Sequence, residues 1–337
     1  MRILVISSYP PRHCGIGSYA AADVERLRSE GHEVVVLSPP DGNGDVRVPF
    51  FGGRPFLAAA RLAPRFDRVL VHFEPGLYYR RRAPVSKVMT SLGLWCLTRR
   101  RPGTEVLVHE AASRPRLLWR LDHLVLRSAL GRARLLFHTD REREALERSY
   151  RIRVRGAIVP HAGGVRIARR IPRGEARSIL GIEPDAYVFL CAGFLHPEKG
   201  YERAVRAFRR AGSSGQLVVV GSVRQPTPEA LSYVRALREL CDRTPGVTLT
   251  EEYVSDESFD TWIAAADVLV LPYLRAWSSG ALARAQKVGT PALVAAVGGM
   301  AEQAGPTDAV FRTDGELVEL MRQVHVPTQA LPDHEVG

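Results

Sequence analysis

The 337-residue chain is poor in lysine, in cysteine and in long apolar runs. Only three of its 47 basic residues are lysines (Lys87, Lys199 and Lys287), so each stands out against a background of arginine. The four cysteines, Cys14, Cys96, Cys191 and Cys241, are far apart, with no CxxC pair and no histidine at zinc spacing. That excludes a disulfide scaffold and a structural zinc module, and reads as reduced, mostly buried thiols in a cytoplasmic protein. No run reaches 18 apolar residues, so no membrane-spanning helix is expected. The opening MRILVISSYPP holds too short an apolar stretch for a signal peptide and reads as a first strand. Aromatic-basic interleaving and a helix-turn-helix pattern are also missing, which excludes nucleic acid as a partner.

What remains is an ordinary globular composition, 45% hydrophobic and 25% charged, on a length that suits two domains. The charge is uneven. Residues 1–160 carry 28 basic and 15 acidic side chains, a net of +13, whereas 161–337 carry 19 and 21, a net of −2. An anionic partner for the first half and an arginine-rich solvated face both account for this surplus.

Apolar runs alternate with helical patterns along the chain. Strands are expected at ILVIS (3–7), EVVVLS (33–38), RVLVHF (68–73), EVLVHE (105–110), RLLFHT (134–139) and AIVPH (157–161). The second half repeats the rhythm at 187–194, 216–222, 247–253, 267–273 and 291–296, with helices near 200–211, 227–242, 255–266 and 280–288. Continuous apolar strands separated by helices indicate parallel sheets covered on both faces. The fold class is therefore α/β, with two doubly wound Rossmann-like domains facing across a cleft. They are placed at 1–165 and 166–312, joined through the Pro- and Gly-bearing segment 166–185. A C-terminal helix and tail follow at 313–337, set to pack back on the first domain. Ligands of this architecture bind at the carboxyl ends of the strands.

Three strand-to-helix turns carry candidate chemistry. In SSYPPRHCGIGSY, Gly15 and Gly17 precede a helix expected from Ser18 to Glu30, where backbone amides favour an anion; a tight turn would need the same glycines. In CAGFLHPEKGYERA a strand ends at Gly193 and Lys199 opens a helix, a place the macrodipole disfavours for a cation unless it serves an anion. In DVLVLPYLRAWSSGALARAQKVGTP a strand runs into Tyr273, and Ser279-Gly280 start a helix suited to capping or to phosphate binding.

The ordered set YPPRHCGIGSY, LVHE, HTDRE, VPHAGG, GFLHPEKGYERAVRAF, AADVLVLPY, SSGALARAQKVGTPALVA and VGGMAE, from residue 7 to about 303, resembles retaining glycosyltransferases of family 4, with the GT-B fold. The resemblance implies a cytoplasmic, metal-independent, hexosyltransferase-type enzyme that takes a nucleotide-diphosphate sugar as donor substrate and needs no cofactor. It implies that Lys199 binds the donor diphosphate, that Ser279 and Gly280 bind its phosphates through backbone amides, and that Gly15 and Gly17 form the loop over the pyrophosphate. Gly193 and Tyr273 line the donor side. His109 faces the transferred sugar, Glu302 in VGGMAE lies near the donor, and His161 is the hinge-side histidine. His72 and Glu74, at a strand end, are acceptor-side candidates or local turn caps.

The sequence departs from the family at two places. The usual Glu-x7-Glu is replaced by Ala276 and Arg284, as in a subgroup with an SG turn, and the usual arginine before the lysine loop is Phe194, with Arg275 a substitute. No DxD carboxylate pair stands out. These departures leave open a glycosyltransferase-like subunit without catalysis, and a GT-B-like nucleotide-sugar epimerase. The acceptor is a small molecule, a glycan or a lipid-linked sugar. Val85, Val88, Met89, Leu92, Trp95 and Cys96 share one helical face between Arg80–Arg82 and Arg99–Arg101. That face either packs on the core or docks at the inner face of an anionic membrane.

Overall fold

The computed structural model describes residues 1–79, 83–110, 120–154, 156–224 and 226–323. Arg80–Arg82 and the tail from 324 onward therefore lie outside the described residues. Contacts divide the chain into two compact units, each described by itself. The first holds Met1–Arg166 with Ala276–Ala283 and Gly298–Gln303; the second holds Ile167–Arg275, Arg284–Val297 and the remainder.

In chain order the first 166 residues form β1 (Arg2–Ile6), α1 (Gly15–Ser29), β2 (Glu33–Ser38), β3 (Val46–Arg47), α2 (Arg54–Leu62), β4 (Arg68–Phe73), α3 (Pro75–Tyr78), α4 (Pro84–Arg100), β5 (Glu105–Val108), α5 (Arg120–Leu130), β6 (Arg134–Phe137), α6 (Asp140–Tyr150) and β7 (Gly156–Ile158). The rest form α7 (Arg173–Leu180), β8 (Val188–Ala192), α8 (Tyr201–Ala211), β9 (Gln216–Gly221), α9 (Pro228–Asp242), β10 (Val247–Glu251), α10 (Asp256–Ala265), β11 (Val268–Leu271), α11 (Gly280–Val288), β12 (Ala292–Ala295), α12 (Met300–Gln303), β13 (Ala309–Phe311) and α13 (Asp314–Gln323). Every apolar run singled out in the sequence is a strand.

All pairings are parallel, in the orders β3-β2-β1-β4-β5-β6-β7 and β10-β9-β8-β11-β12-β13. Both sheets are covered on two faces, which is why their strands read as unbroken apolar runs. In the first sheet the pleat sends Leu4, Ile6, Val69, Val71, Val106 and Val108 into one core. Ile3, Val5, Leu70, Leu107 and Leu136 enter the core on the other face. The chain reverses direction of winding beside β1 in one sheet and beside β8 in the other. The carboxyl ends of β1 and β4, and of β8 and β11, therefore flank the two switch points where a ligand crevice opens.

Three elements differ from expectation. The connecting segment contains a helix, α7, whose buried face is Ala176 and Arg177. Arg177 is 2% exposed; its guanidinium donates to the carbonyls of Ala265 (3.0 Å), Glu183 (3.3 Å) and Pro184, and meets Asp267 at 2.7 Å. An arginine on the inward face hides an amphipathic pattern. In α4 the buried face is Thr90, Ser91, Gly93, Leu94, Leu97 and Thr98, not the apolar stripe. A Cβ on Gly93 would stand 2.6 Å from the carbonyl oxygen of Gly53, so small residues are what let the helix approach that turn. Val85, Met89 and Leu92 are left 73%, 42% and 38% exposed, whereas Val88, Trp95 and Cys96 are half-buried and Trp95 packs against the core. The C-terminal helix α13 packs on α8 in the second unit, with Arg322 donating to the carbonyl of Arg210 at 3.1 Å.

Candidate functional site

In the first unit, β1 is followed by Ser7 and Ser8, both buried, and the chain reaches α1 through a cis Pro10–Pro11 bond. The helix starts at Gly15, three residues earlier than expected, so Gly15 and Gly17 both sit in its first turn. Nothing lies within 4 Å of a Cβ placed on Gly15, and that turn is open above its amides. One position beyond it in the helix, Tyr19 points into the strand ends.

Around Tyr19 stand four histidines, one from the end of each of four successive strands. His72 lies in β4, His109 follows β5, His138 follows β6 and His161 comes after β7. Their ring centroids are 5.7, 5.4, 5.4 and 5.1 Å from that of Tyr19, all edge-on. His72 Nδ1 and His109 Nε2 share a hydrogen bond at 3.1 Å, and His138 Nδ1 donates to the carbonyl of Val159 at 3.0 Å. Burial dominates their titration. It depresses His72 to about 4 and His161 to about 3, and lowers His138; at His109 the neighbouring imidazoles add to it. Imidazoles held neutral in this way can each donate and accept one hydrogen bond.

His72 Nε2, His138 Nε2, His161 Nδ1, Ser7 Oγ and Ser8 Oγ are buried without a protein hydrogen-bond partner among the described residues. Each such atom costs about 1–3 kcal/mol when left unpaired, so this edge is built for polar company. His138 is absent from the candidates the sequence supplied, as is Glu142 below it. Glu142 Oε2 accepts from the His138 amide at 2.8 Å, and burial raises its carboxyl to about 7 against those backbone bonds. The repeated strand-then-histidine pattern in RVLVHF, EVLVHE, RLLFHT and AIVPH is the signal that contained His138.

The two late turns join this edge, because Ala276–Ala283 and Gly298–Gln303 group with the first unit. A Cβ on Gly280 would lie 3.6 Å from His161 Cε1. Glu302 meets Arg141 through Nε at 3.2 Å and through the amide at 3.3 Å, at the first turn of α6. Ser279 Oγ caps α11 by accepting from Leu282 N at 3.2 Å. Its own amide donates to Gln303 Oε1 at 2.7 Å, while Gln303 Nε2 donates back to the Ser279 carbonyl at 2.7 Å. The Ser279 amide is thus occupied, and donation to an anion falls to the amides from Gly280 onward. Glu74 accepts from Gly76 N at 2.9 Å and caps α3, which is the local role open to it in the sequence.

In the second unit, Gly193 ends β8 at φ +133°, and a short turn, Pro197–Lys199, follows. Lys199 Nζ sits 3.8 Å from the centre of the Tyr273 ring, just past the end of β11. The two loops are stitched together: Leu274 N donates to the Glu198 carbonyl at 2.9 Å, and Arg275 meets Glu198 at 3.5 Å. Gly200 has φ +61°, and a Cβ there would come within 2.5 Å of the Pro272 carbonyl oxygen, so only glycine lets the loops approach this closely. Arg275 is held by Glu198, while at the other departure the Arg224 guanidinium lies 5.9 Å from the Phe194 ring centre. Arg284, at the position of the second family glutamate, is 9% exposed and turned into α10. It reaches Asp260 at 2.5 Å and Asp256 at 2.9 Å.

Among the described residues no group of three or more His, Cys, Asp or Glu is placed to hold a metal ion. None of their helices is long and apolar enough to cross a membrane.

Two parallel Rossmann-like sheets of this order define a GT-B fold. Solved structures share it. Sucrose-phosphate synthase from Thermosynechococcus elongatus superposes with a TM-score of 0.70 at 18% identity, covering 96% of this chain and 89% of that one. Anabaena HepE in complex with UDP-glucose gives 0.71 at 14% identity, with the same coverages. Residues 186–325 match the model of the glycosyl transferases group 1 family. Among curated proteins, the D-inositol 3-phosphate glycosyltransferase of Streptomyces avermitilis is 32% identical over 177 residues, 50% of this chain and 38% of that protein. That of Nocardioides sp. is 30% identical over 179 residues, 49% and 39%. The matched stretch thus spans about two-fifths of these relatives' length.

Proposed function

We propose that the protein transfers a hexose from a nucleotide-diphosphate sugar to a hydroxyl acceptor, with retention of configuration and without a metal ion. The observation that carries this reading is the Lys199 ammonium fixed against Tyr273 at the switch point of the second sheet, in a chain with only three lysines among 47 basic residues. A diphosphate leaving group gathers negative charge as its bond to the anomeric carbon lengthens. A fixed ammonium and the amides at the start of α11 stabilise that charge in the transition state. The acceptor oxygen then bonds to the anomeric carbon on the face the diphosphate leaves, and its proton passes to the departing phosphate oxygen. His109 contacts the transferred sugar, Glu302 reads its hydroxyls, and Gly15 and Gly17 leave room over the pyrophosphate. His72 and His161, being neutral, meet the hydroxyls of the acceptor side.

The test is nucleotide-sugar turnover by the purified chain, screened across UDP-, GDP-, TDP- and ADP-sugars, with Lys199→Ala alongside. The expected result is turnover that falls at least a hundredfold in the variant, with a product of unchanged anomeric configuration by NMR. Inversion at the anomeric carbon overturns retention, and activity lost on chelation overturns metal independence. A wild type that neither binds nor turns over any donor is the outcome for a non-catalytic subunit, and release of a free epimerised sugar nucleotide is that for an epimerase.

The exposed stripe of α4 favours a site of action at an anionic lipid surface. Val85, Met89 and Leu92 face outward on a helix that ends in Arg99, Arg100 and Arg101, so apolar insertion and attraction to lipid phosphate act together. The +13 surplus of the first half fits that role and an acceptor carrying a lipid or phosphate.

A further inference from the structure

Helix α8 carries arginine at 203, 206, 209 and 210, with 203, 206 and 210 along one stripe. That stripe and α13, which packs on it, border an open cavity of about 230 Å³ lined, among the described residues, by all four arginines and one carboxylate, Asp314. Four guanidiniums against one carboxylate leave the lining at a net +3. Asp314 is already committed, accepting from Arg203 Nε at 2.8 Å and Nη2 at 2.7 Å.

Helix-end electrostatics account for part of this arrangement only. Arg209 and Arg210 lie in the last turn of α8, where cations are favoured, but Arg203 lies in the first turn and Arg206 mid-helix, where they are not. At about 30 Å³ per water, the cavity has room for roughly seven waters, the size of one or two phosphate groups with part of their hydration. Arg203 also donates through Nη1 to the carbonyls of Pro272 (2.7 Å) and Tyr273 (3.2 Å), so the guanidinium that walls the cavity also orders the turn bearing Tyr273.

We propose that this cavity is a second anion site, taking a multiply charged phosphate group on Arg206, Arg209 and Arg210, separate from the Lys199 loop. Guanidiniums suit this ligand because their planar fork meets two phosphate oxygens at once. The test is calorimetric titration of the full chain with sodium tripolyphosphate, comparing wild type, Lys199→Ala and the double variant Arg206→Gln/Arg210→Gln. Circular dichroism checks that each is folded. Both positions are exposed on the helix, so the double variant keeps its fold. The expected result is binding retained in Lys199→Ala, weakened at least tenfold in the double variant, and weakened in wild type by raised salt. Binding that disappears in Lys199→Ala while persisting in the double variant assigns the anion to the lysine loop and overturns the proposal. So does a wild type that binds no tripolyphosphate, which marks the arginines as a solvated helix face.

Discussion

Replacing Arg284 by methionine removes the one side-chain cation paired with Asp260 among the described residues, and the structure says how much that costs. Asp260 is 0% exposed. Its Oδ1 holds Arg284 Nη1 at 2.5 Å, and its Oδ2 accepts from the amides of Ala168 (2.5 Å) and Arg169 (2.9 Å). Removing one partner of a buried ion pair costs about 3–5 kcal/mol, because the other charge stays behind uncompensated. The two amides remain, which places Arg284→Met near the lower end, about 3 kcal/mol. For a unit of 150–250 residues that lowers the melting temperature by roughly 6–12 °C. The assay is urea and thermal unfolding followed by circular dichroism and by fluorescence of Trp262, which is buried in the same helix as Asp260. The double variant Arg284→Met/Asp260→Asn should recover a large part of the loss, since it removes the stranded charge. Arg284→Glu should be worse than Arg284→Met, because it sets a second carboxylate beside Asp260. That result would also explain why the family glutamate is not simply restored here. If Arg284→Met costs under 0.5 kcal/mol, or Arg284→Glu is tolerated, the account of this clamp is wrong.

Further outcomes follow from the same geometry. Gly200→Ala should destabilise the second unit by more than 1 kcal/mol and weaken donor binding, since φ is +61° and Pro272 O stands 2.5 Å from the new methyl; unfolding and nucleotide titration check both. A histidine whose folded pKa is depressed contributes stability above its unfolded pKa near 6.5, and loses it as pH falls towards the folded value. With His72 at about 4, the chain should lose about 3 kcal/mol from this residue alone between pH 7 and pH 4, and His72→Asn should flatten that slope in urea titrations. Glu142 acts oppositely: its carboxyl is raised to about 7, so its contribution is present below about 4.5 and is lost as pH rises through 7, and Glu142→Gln should remove that loss. Val85→Asp/Met89→Asp should abolish sedimentation with anionic vesicles while leaving the melting temperature within about 1 °C, as both side chains are exposed. Vesicle binding that survives the substitutions, or that ignores lipid charge and salt, would remove the case for a membrane surface.

Much of the Lys199 loop was legible in the sequence. A lone lysine at a helix start, a glycine either side of it and a strand ending in Pro-Tyr mark Lys199 and Tyr273 separately, because local turn chemistry determines each; that the two meet came from the structure. Three of the four clustered histidines, His72, His109 and His161, were singled out in the sequence, each by itself; the order β4-β5-β6-β7 places them together and adds His138. Glu142 and Gln303 were invisible, since their roles depend on which backbone amide folds over them.

The alternation of apolar runs and helical patterns was enough to determine two parallel sheets, because strands buried on both faces leave no other reading. Only the tertiary structure decided which face of α4 is inside. Helical spacing shows that an apolar stripe exists, but close approach to Gly53 selects the small residues and leaves Val85, Met89 and Leu92 of that stripe exposed. It also decided the fates of Arg284 and Arg177, which sequence spacing assigns to a site or a linker. Burial against Asp260 and Asp267 makes them internal ion pairs, and a charge's role depends on the partners that remain after water is removed.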